Sequence, residues 1–263
     1  MIMENNKKQR FIIISDIHGF FNEMISALNK VNFNPESDIL VSLGDELDRG
    51  PEPEKVINYL MDLPHAIFVK GNHTTLMEEL LGRKYPHNYD YSNGTFQSVL
   101  DLAPNAKTFE EACIIAGQKV KPFFDKEIDY LELENHILVH SFIALNRNDN
   151  LPKYYTKERD FEYNPDWRNA SAEEWEEARW GNPLYLAMDG LNQTGKPIIS
   201  GHWHCSAGWA IENKTFDEFG EEACFEPYYY KDKLIMIDAC TAHSGKVNVL
   251  VLEDEFLAKE NNQ

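Results

Sequence analysis

The sequence predicts an α/β fold, because three apolar runs in its N-terminal third are each followed by a polar block and then by a helical pattern. These units repeat at about 30 residues, which is the size of a β-α-β element. The polar blocks that follow the three runs are Asp16-Ile17-His18, Gly44–Gly50 and Gly71-Asn72-His73. Since parallel strands carry their ligand sites at their carboxyl ends, we expect these blocks to meet at one edge of a sheet.

The first three strands and helices follow from the spacing of the apolar residues. Unbroken apolar runs are typical of buried strands, and they predict strands at Phe11–Ser15, Ile39–Ser42 and Ala66–Val69. Apolar residues at helical spacing predict helices over Phe20–Lys30, around Val56–Met61 and over Leu76–Leu81.

The later elements are predicted from more local signals. Acidic residues near its start favour a helix over Thr108–Gly117, and two short apolar runs at Ile128–Leu133 and His136–Ser141 predict a hairpin. Ser171 and Glu174 form a capping-box pattern, which predicts the start of a short helix. The last predicted strands are Pro197–Ser200, Leu234–Asp238 and Val247–Leu252.

The chain is predicted to form one domain over residues 1–263, because no linker or low-complexity tract divides it. Residues 85–126 and 151–168 fit the strand–helix rhythm poorly. We interpret them as insertions that shape the substrate site.

Composition excludes several classes of protein. A formal net charge of −19 disfavours general binding to nucleic acid or to anionic membranes, since both are polyanionic. No stretch reaches the roughly 20 apolar residues of a membrane span, and Met1–Arg10 lacks the apolar core of a signal peptide. The four cysteines form no C-x-x-C pair. These features predict a cytoplasmic protein.

The polar blocks contain the donor atoms of a metal centre. Asp16 and His18 leave one strand together, and Asp45 follows the neighbouring strand, where one carboxylate can bridge two ions about 3.5–4 Å apart. Asn72 adds a neutral amide oxygen. Further imidazoles follow later apolar runs, at His140, His202 and His204. Carboxylates together with imidazoles suit manganese, iron or zinc.

The order of these motifs resembles the calcineurin-like metallophosphoesterase superfamily. The chain carries D-x-H, G-D-x-x-D-R-G, G-N-H, V-H and G-H-x-H in that order, and its ending around Ile235–Cys240 resembles the last strands of the serine/threonine protein phosphatase branch of that superfamily. The G-D-x-x-D-R-G block is similar to that of the serine/threonine protein phosphatase branch, which includes bacterial and phage phosphatases and symmetrical diadenosine tetraphosphatases. The resemblance implies a four-layer α-β-β-α sandwich.

The same resemblance implies two divalent metal ions, with manganese first and iron, zinc or nickel as alternatives. Asp45 would be shared between the ions, and the remaining ligands would be Asp16 and His18 on the first ion and Asn72, His140 and His202 on the second. His204 has two interpretations. The wider superfamily has a metal ligand at this position, whereas the protein phosphatase branch usually lacks it.

The resemblance also implies roles in catalysis. His73 would be the general acid and Asp48 would orient it, while Arg49, Arg179 and Asn72 would bind the phosphate. A hydroxide bridging the metals would attack phosphorus. One residue departs from the pattern, since Thr74 stands where the family commonly has glutamate.

Three functions follow in order of preference. The first is hydrolysis of phosphomonoesters, including phosphoserine and phosphothreonine in proteins. The second is symmetrical hydrolysis of dinucleoside polyphosphates. The third, from another class, is a catalytically inactive scaffold, which the complete set of ligands and the presence of His73 disfavour.

Overall fold

The computed structural model describes residues 8–147, 161–215 and 217–257. The first of its two larger sheets has the strand order β11-β1-β2-β3. Its strands are β1 (Gln9–Ile14), β2 (Ile39–Ser42), β3 (Ala66–Phe68) and β11 (Leu250–Asp254). Strands β1, β2 and β3 are parallel, and β11 pairs with β1 in the antiparallel direction.

The second sheet has the strand order β4-β5-β8-β10-β9. Its strands are β4 (Tyr130–Glu132), β5 (Ile137–Val139), β8 (Ile198–His204), β9 (Tyr228–Tyr230) and β10 (Leu234–Asp238). Strands β5, β8 and β10 are parallel, whereas β4 and β9 are antiparallel edge strands. A separate two-stranded ribbon joins β6 (Asn146–Arg147) to β7 (Phe161–Glu162).

Helices lie against the outer face of each sheet. The helices associated with the first sheet are α1 (Phe21–Lys30), α2 (Pro53–Asp62), α3 (Asn72–Arg83), α4 (Asn88–Asn93), α5 (Thr95–Leu102) and α6 (Phe109–Phe124). Those associated with the second sheet are α7 (Ala172–Ala178), α8 (Pro183–Met188) and α9 (Cys205–Glu212). A short helix, α10 (Thr241–Ser244), follows β10.

The two sheets pack face to face. Alternate side chains of a strand point to opposite faces, so Ile13 of β1 enters the cluster between the sheets while Ile12 packs toward the helices. From the second sheet, Leu138, Ile199 and Ile237 enter the same central cluster. This packing gives the layers helix, sheet, sheet, helix, and it confirms the predicted α-β-β-α sandwich.

Most of the predicted elements are present, with shifted ends. The hairpin forms between β4 and β5, and Ser171 and Glu174 make the reciprocal hydrogen bonds of a capping box at the start of α7. Helix α3 begins at Asn72, earlier than predicted, and α6 continues through Pro122. Residues 85–126 contain α4, α5 and α6, of which only part of α6 was predicted. Residues 151–160 of the second predicted insertion lie outside the described residues.

Among the helices of the described ranges, none combines the length and the apolar character that are needed to cross a membrane.

Asp254 links the two sheets, and replacing it should lower stability in a pH-dependent way. This buried carboxylate at the end of β11 accepts hydrogen bonds from Asn135 Nδ2 and His136 Nδ1, both at 2.7 Å, in the β4–β5 turn. Burial alone would raise the pKa of Asp254, but these donors and the Glu255 N–H lower it. Asp254→Asn is expected to reduce the free energy of unfolding by about 1–3 kcal/mol near neutral pH.

The pH dependence follows from the lowered pKa in the folded state. The Asp254 carboxylate contributes fully to the free energy of unfolding above its unfolded-state pKa of about 3.9. This contribution is lost as the pH falls through the lower folded-state pKa. Urea unfolding of both proteins should therefore show a stability difference that shrinks as the pH falls below about 4. A difference that is constant with pH would contradict this assignment.

Candidate metal centre

The predicted site residues lie at strand ends with an unusual backbone conformation. Six of them have positive φ angles, between 49° and 73°, and they are Asp16, His18, Asp45, Asp48, Arg49 and His202. Residues other than glycine rarely adopt this left-handed region, and such strain concentrates at functional sites. The turns therefore hold these side chains in positions that a relaxed backbone would not give.

Two glycines let the strand ends approach closely. A Cβ at Gly71 would overlap the Asp45 carboxylate, and a Cβ at Gly201 would overlap the side chains of Ser15 and Asp16. Because the space is free, the Asp45 Oδ1 atom accepts the N–H of His73 at 3.0 Å, and Asp16 Oδ2 accepts the N–H of His202 at 2.9 Å. Asp45 thus lies at the positive N-terminal end of α3, which stabilises a carboxylate there.

Two groups of possible metal ligands share one carboxylate. One group is His18, Asp45 and His73, and the other is Asp45, His140 and His202. Within each group the ligand atoms lie within 4.8 Å of one another. Asp45 is the residue common to both, as expected for a bridging ligand. Asp16 lies beside the groups, close enough for Asp45 to raise its pKa.

The orientation of two imidazoles fits a metal ion. His18 Nδ1 donates to Leu47 O at 2.9 Å and His140 Nδ1 donates to Leu43 O at 2.7 Å, which leaves both Nε2 atoms as acceptors. His140 Nε2 also lies 2.7 Å from Asn72 Oδ1. When Nε2 carries no proton, it and the Asn72 amide oxygen offer two donor atoms to one cation.

The charges of the site also fit a cation. Burial lowers the pKa of His18 well below its usual value and that of His202 to about 3, so both imidazoles are neutral and can ligate. Burial raises the pKa of Asp16, and it raises that of Asp238 well above the usual range. Burial would raise the pKa of Asp45 too, but the neighbouring His140 and His73 lower it. Buried carboxylates in one place call for the compensating charge that divalent ions supply.

His73, a member of the first ligand group, forms a hydrogen-bonded pair with Asp48. His73 Nδ1 lies 2.7 Å from Asp48 Oδ2, and both side chains are buried. Burial alone would lower the pKa of His73, but the Asp45 and Asp48 carboxylates raise it. The exposed Arg49 has its Nη2 atom 3.1 Å from His73 Nε2 and its Nη1 atom 2.7 Å from His18 Nε2. A proton donor and a guanidinium therefore face the ligand groups together.

Arg179 and His204 are held by acidic residues. The two terminal nitrogens of Arg179 donate to Glu176, at 2.9 Å, and to Asp129. His204 Nδ1 lies 3.4 Å from Glu218 Oε2, and within the described part of the chain His204 belongs to neither ligand group. A ligand role for His204 and a phosphate contact for Arg179 stay predictions.

Thr74, which departs from the family pattern, contacts a carboxyl group from another element. The Thr74 hydroxyl donates to Glu127 Oε1 at 2.8 Å, and Glu127 comes from the loop after α6. Burial raises the pKa of Glu127 well above its usual value and raises that of the neighbouring Glu46 to about 8. The residue after His73 thus contacts a buried carboxyl group that comes from a distant part of the sequence.

Sequence reasoning missed three polar residues of the site. Thr95 and Ser98 hydrogen-bond to Asp48 at 2.7 Å and 3.0 Å, and Asp238 is buried close to Asp16. Asp238 ends a predicted strand, and that position at a carboxyl edge was the available signal. Thr95 and Ser98 carried no signal, because their helix was not predicted.

The sandwich and its donor groups define an α/β protein with a candidate metal centre at the carboxyl ends of its strands. A family model described as calcineurin-like phosphoesterase matches residues 9–206. The chain belongs to the calcineurin-like phosphoesterase family.

Two curated relatives match short segments. One is serine/threonine-protein phosphatase 2 of Salmonella typhimurium, 33% identical over 84 residues, which are 32% of this chain and 38% of that protein. Another is the symmetrical bis(5'-nucleosyl)-tetraphosphatase of Hamiltonella defensa, 45% identical over 62 residues, which are 23% of this chain and 22% of that protein. The matched segments thus span well under half of either relative.

A solved structure extends the likeness to the whole fold. It belongs to a protein provisionally named a diadenosine tetraphosphatase, and it matches with a TM-score of 0.51 over 95% of this chain and 96% of that one. The sequence identity is 19%, so this match supports the fold alone.

Proposed function

We propose that this protein is a phosphatase that hydrolyses phosphomonoesters, including phosphoserine and phosphothreonine in proteins, with the help of two divalent metal ions. The observation that carries the proposal is that two ligand groups share Asp45, while His73 of one group pairs with Asp48 and contacts Arg49. A proton donor, an anion-binding guanidinium and a metal centre are the parts that phosphate-ester hydrolysis needs.

The metals would be held by the predicted ligands, with Asp45 between them. Asp16 and His18 would complete the first set, and Asn72, His140 and His202 would complete the second. Bound divalent ions would lower the pKa of water and neutralise phosphate charge. We propose that both metal ions are manganese, since the ligands combine oxygen atoms with imidazole nitrogens. The free cysteines of the described residues fit a reducing cytoplasm, where we propose that the enzyme works.

His73 would donate the proton that the leaving oxygen needs. Asp48 accepts from Nδ1, so the proton to be transferred would be on Nε2, which lies 3.9 Å from Asp45 Oδ2. Arg49 Nη2, which donates to this Nε2 at 3.1 Å, would then turn to the phosphate oxygens. The raised pKa of His73 favours the protonated form before the reaction. Arg49 would bind two phosphate oxygens through its planar guanidinium.

Arg179 would contribute only after a change of partners. Both of its terminal nitrogens already donate to carboxylates of Glu176 and Asp129. A phosphate bound there would replace or share one of these acceptors. The role of residues 85–126 and 151–168 in selecting the substrate belongs to this proposal as well.

A substrate panel tests the proposed reaction. With manganese present, we expect orthophosphate release from phosphoserine and phosphothreonine peptides and much slower formation of ADP from diadenosine tetraphosphate. The second candidate, a symmetrical dinucleoside polyphosphatase, is favoured by the name of the Hamiltonella relative. Formation of ADP without turnover of any phosphopeptide would overturn our first choice in its favour.

A further inference from the structure

Helix α5 contributes a buried hydroxyl to the catalytic pair. Thr95 Oγ1 donates to Asp48 Oδ2 at 2.7 Å, and the same oxygen accepts from His73 Nδ1, also at 2.7 Å. Thr95 and Asp48 have no exposed surface, and His73 is only 3% exposed. The three side chains therefore form a continuous hydrogen-bonded network that is buried from solvent.

The backbone of Asp48 is held by the same helix. The Asp48 N–H donates to Ser98 Oγ at 3.0 Å, and Ser98 is one turn after Thr95 on α5. Asp48 itself has a positive φ of 73°, a conformation that needs support from its surroundings. Both the carboxylate and the peptide of Asp48 thus depend on α5.

Gly94 lets helix α5 approach the turn that carries Asp48 and Arg49. Gly94 precedes the helix with φ of 85°, and a Cβ there would overlap the backbone of Arg49. The helix can therefore begin directly against the turn that carries Asp48 and Arg49. This contact places the Thr95 hydroxyl at the carboxylate.

The bond from Thr95 limits how the Asp48 carboxylate can turn. Asp48 Oδ1 is buried and has no hydrogen-bond partner among the residues that the structure describes. The orientation of the group thus rests on the two bonds to Oδ2. Without the hydroxyl, the carboxylate could rotate away from His73 Nδ1, and the imidazole would lose its fixed direction.

We propose that Thr95 is a positioning residue, which holds Asp48 so that His73 Nε2 points its proton at the leaving oxygen. The inference rests on the proposed function. As the P–O ester bond breaks, its electron pair stays on the leaving oxygen, which takes the proton of His73 Nε2. Water supplies the new P–O bond as OH, and the other proton of that water restores the protonated His73. Residues 94–98 then belong to the part of the protein that positions the general acid.

Substrates with different leaving groups test this role. An alkyl phosphate such as phosphoserine needs a proton on its leaving oxygen, whereas dinitrophenyl phosphate releases a stable anion. Thr95→Val should lower kcat for the alkyl phosphate by about 10- to 100-fold, with little change in KM or in kcat for dinitrophenyl phosphate. Thr95→Ser should restore most of the loss, because it keeps the hydroxyl.

The ratio of the two rates within one preparation does not depend on the fraction that is folded, so partial unfolding cannot imitate the effect. Thr108→Val is a matched control, since Thr108 Oγ1 accepts from Glu111 N at the start of α6 and is outside the site. It should leave the ratio unchanged. An unchanged ratio in Thr95→Val, or no recovery in Thr95→Ser, would overturn the proposal.

Failure of the proposed function would look different. If the wild-type protein does not hydrolyse phosphomonoesters, the proposed function is wrong. If the His73→Asn variant has the same rate ratio as the wild type, His73 is not the general acid. A normal response of His73→Asn together with an unchanged ratio in Thr95→Val would overturn only the role of Thr95.

Discussion

Replacing Asp45 by asparagine is expected to lower kcat for phosphate-ester hydrolysis by about 1000-fold or more. Asp45 is common to both ligand groups, and its Oδ2 atom lies 3.5 Å from His140 Nε2. Asparagine keeps the shape of the side chain but removes its negative charge. The variant should therefore bind at most one metal ion, which elemental analysis after dialysis would measure.

Asp38→Asn is the matched control for this change. Asp38 is also buried, but it pairs with Arg10 at 2.5 Å and accepts from Asn34 N at 2.8 Å, away from the ligand groups. Its loss should lower stability and leave kcat and metal content intact. Full activity of Asp45→Asn with both metals bound would contradict a bridging role for Asp45.

Replacing His73 by asparagine is expected to lower kcat by about 100- to 10,000-fold while both metals stay bound. Asparagine cannot deliver the proton that the imidazole supplies. The loss should be largest for alkyl phosphates and smallest for dinitrophenyl phosphate. Rates on the two substrates, together with metal analysis, would measure it.

The same experiment separates two roles for His73, because His73 also belongs to one ligand group. Equal losses on both substrates, accompanied by loss of a metal ion, would show a ligand rather than an acid. His136→Asn is the control, since His136 bonds to Asp254 outside the site. It should change stability without changing the rate ratio.

Strand positions could be predicted because they depend on local pattern. The apolar runs at β1, β2 and β3 are unbroken, β2 is buried throughout, and the predicted bounds of β2 and β10 equal the observed ones. Parallel pairing of these strands then brings Asp16 and Asp45 to one edge, which needs no knowledge of distant contacts.

What could not be predicted depends on contacts between distant residues. Thr95 reaches Asp48 across 47 positions, and Thr74 reaches Glu127 across 53. Helix α3 begins at Asn72 because Asp45, on another strand end, accepts the His73 N–H. No periodicity in the chain encodes such bonds, since each depends on how separate elements pack.

The left-handed conformations were also beyond sequence reasoning. Aspartate and histidine can adopt positive φ, but only the surrounding fold makes them do so at Asp16, His18 and His202. The same conformation directs these side chains toward the candidate metal centre. The geometry of the site is therefore a property of the assembled sandwich rather than of the individual motifs.

The most direct test is to measure metal content and activity together in the wild-type protein. Titration of the chelator-treated protein with manganese should show two bound ions per chain, and orthophosphate release from a phosphopeptide should be lost on chelation and return as the sites fill. Binding of one ion or none, or hydrolysis that persists after the metals are removed, would contradict a two-metal phosphatase.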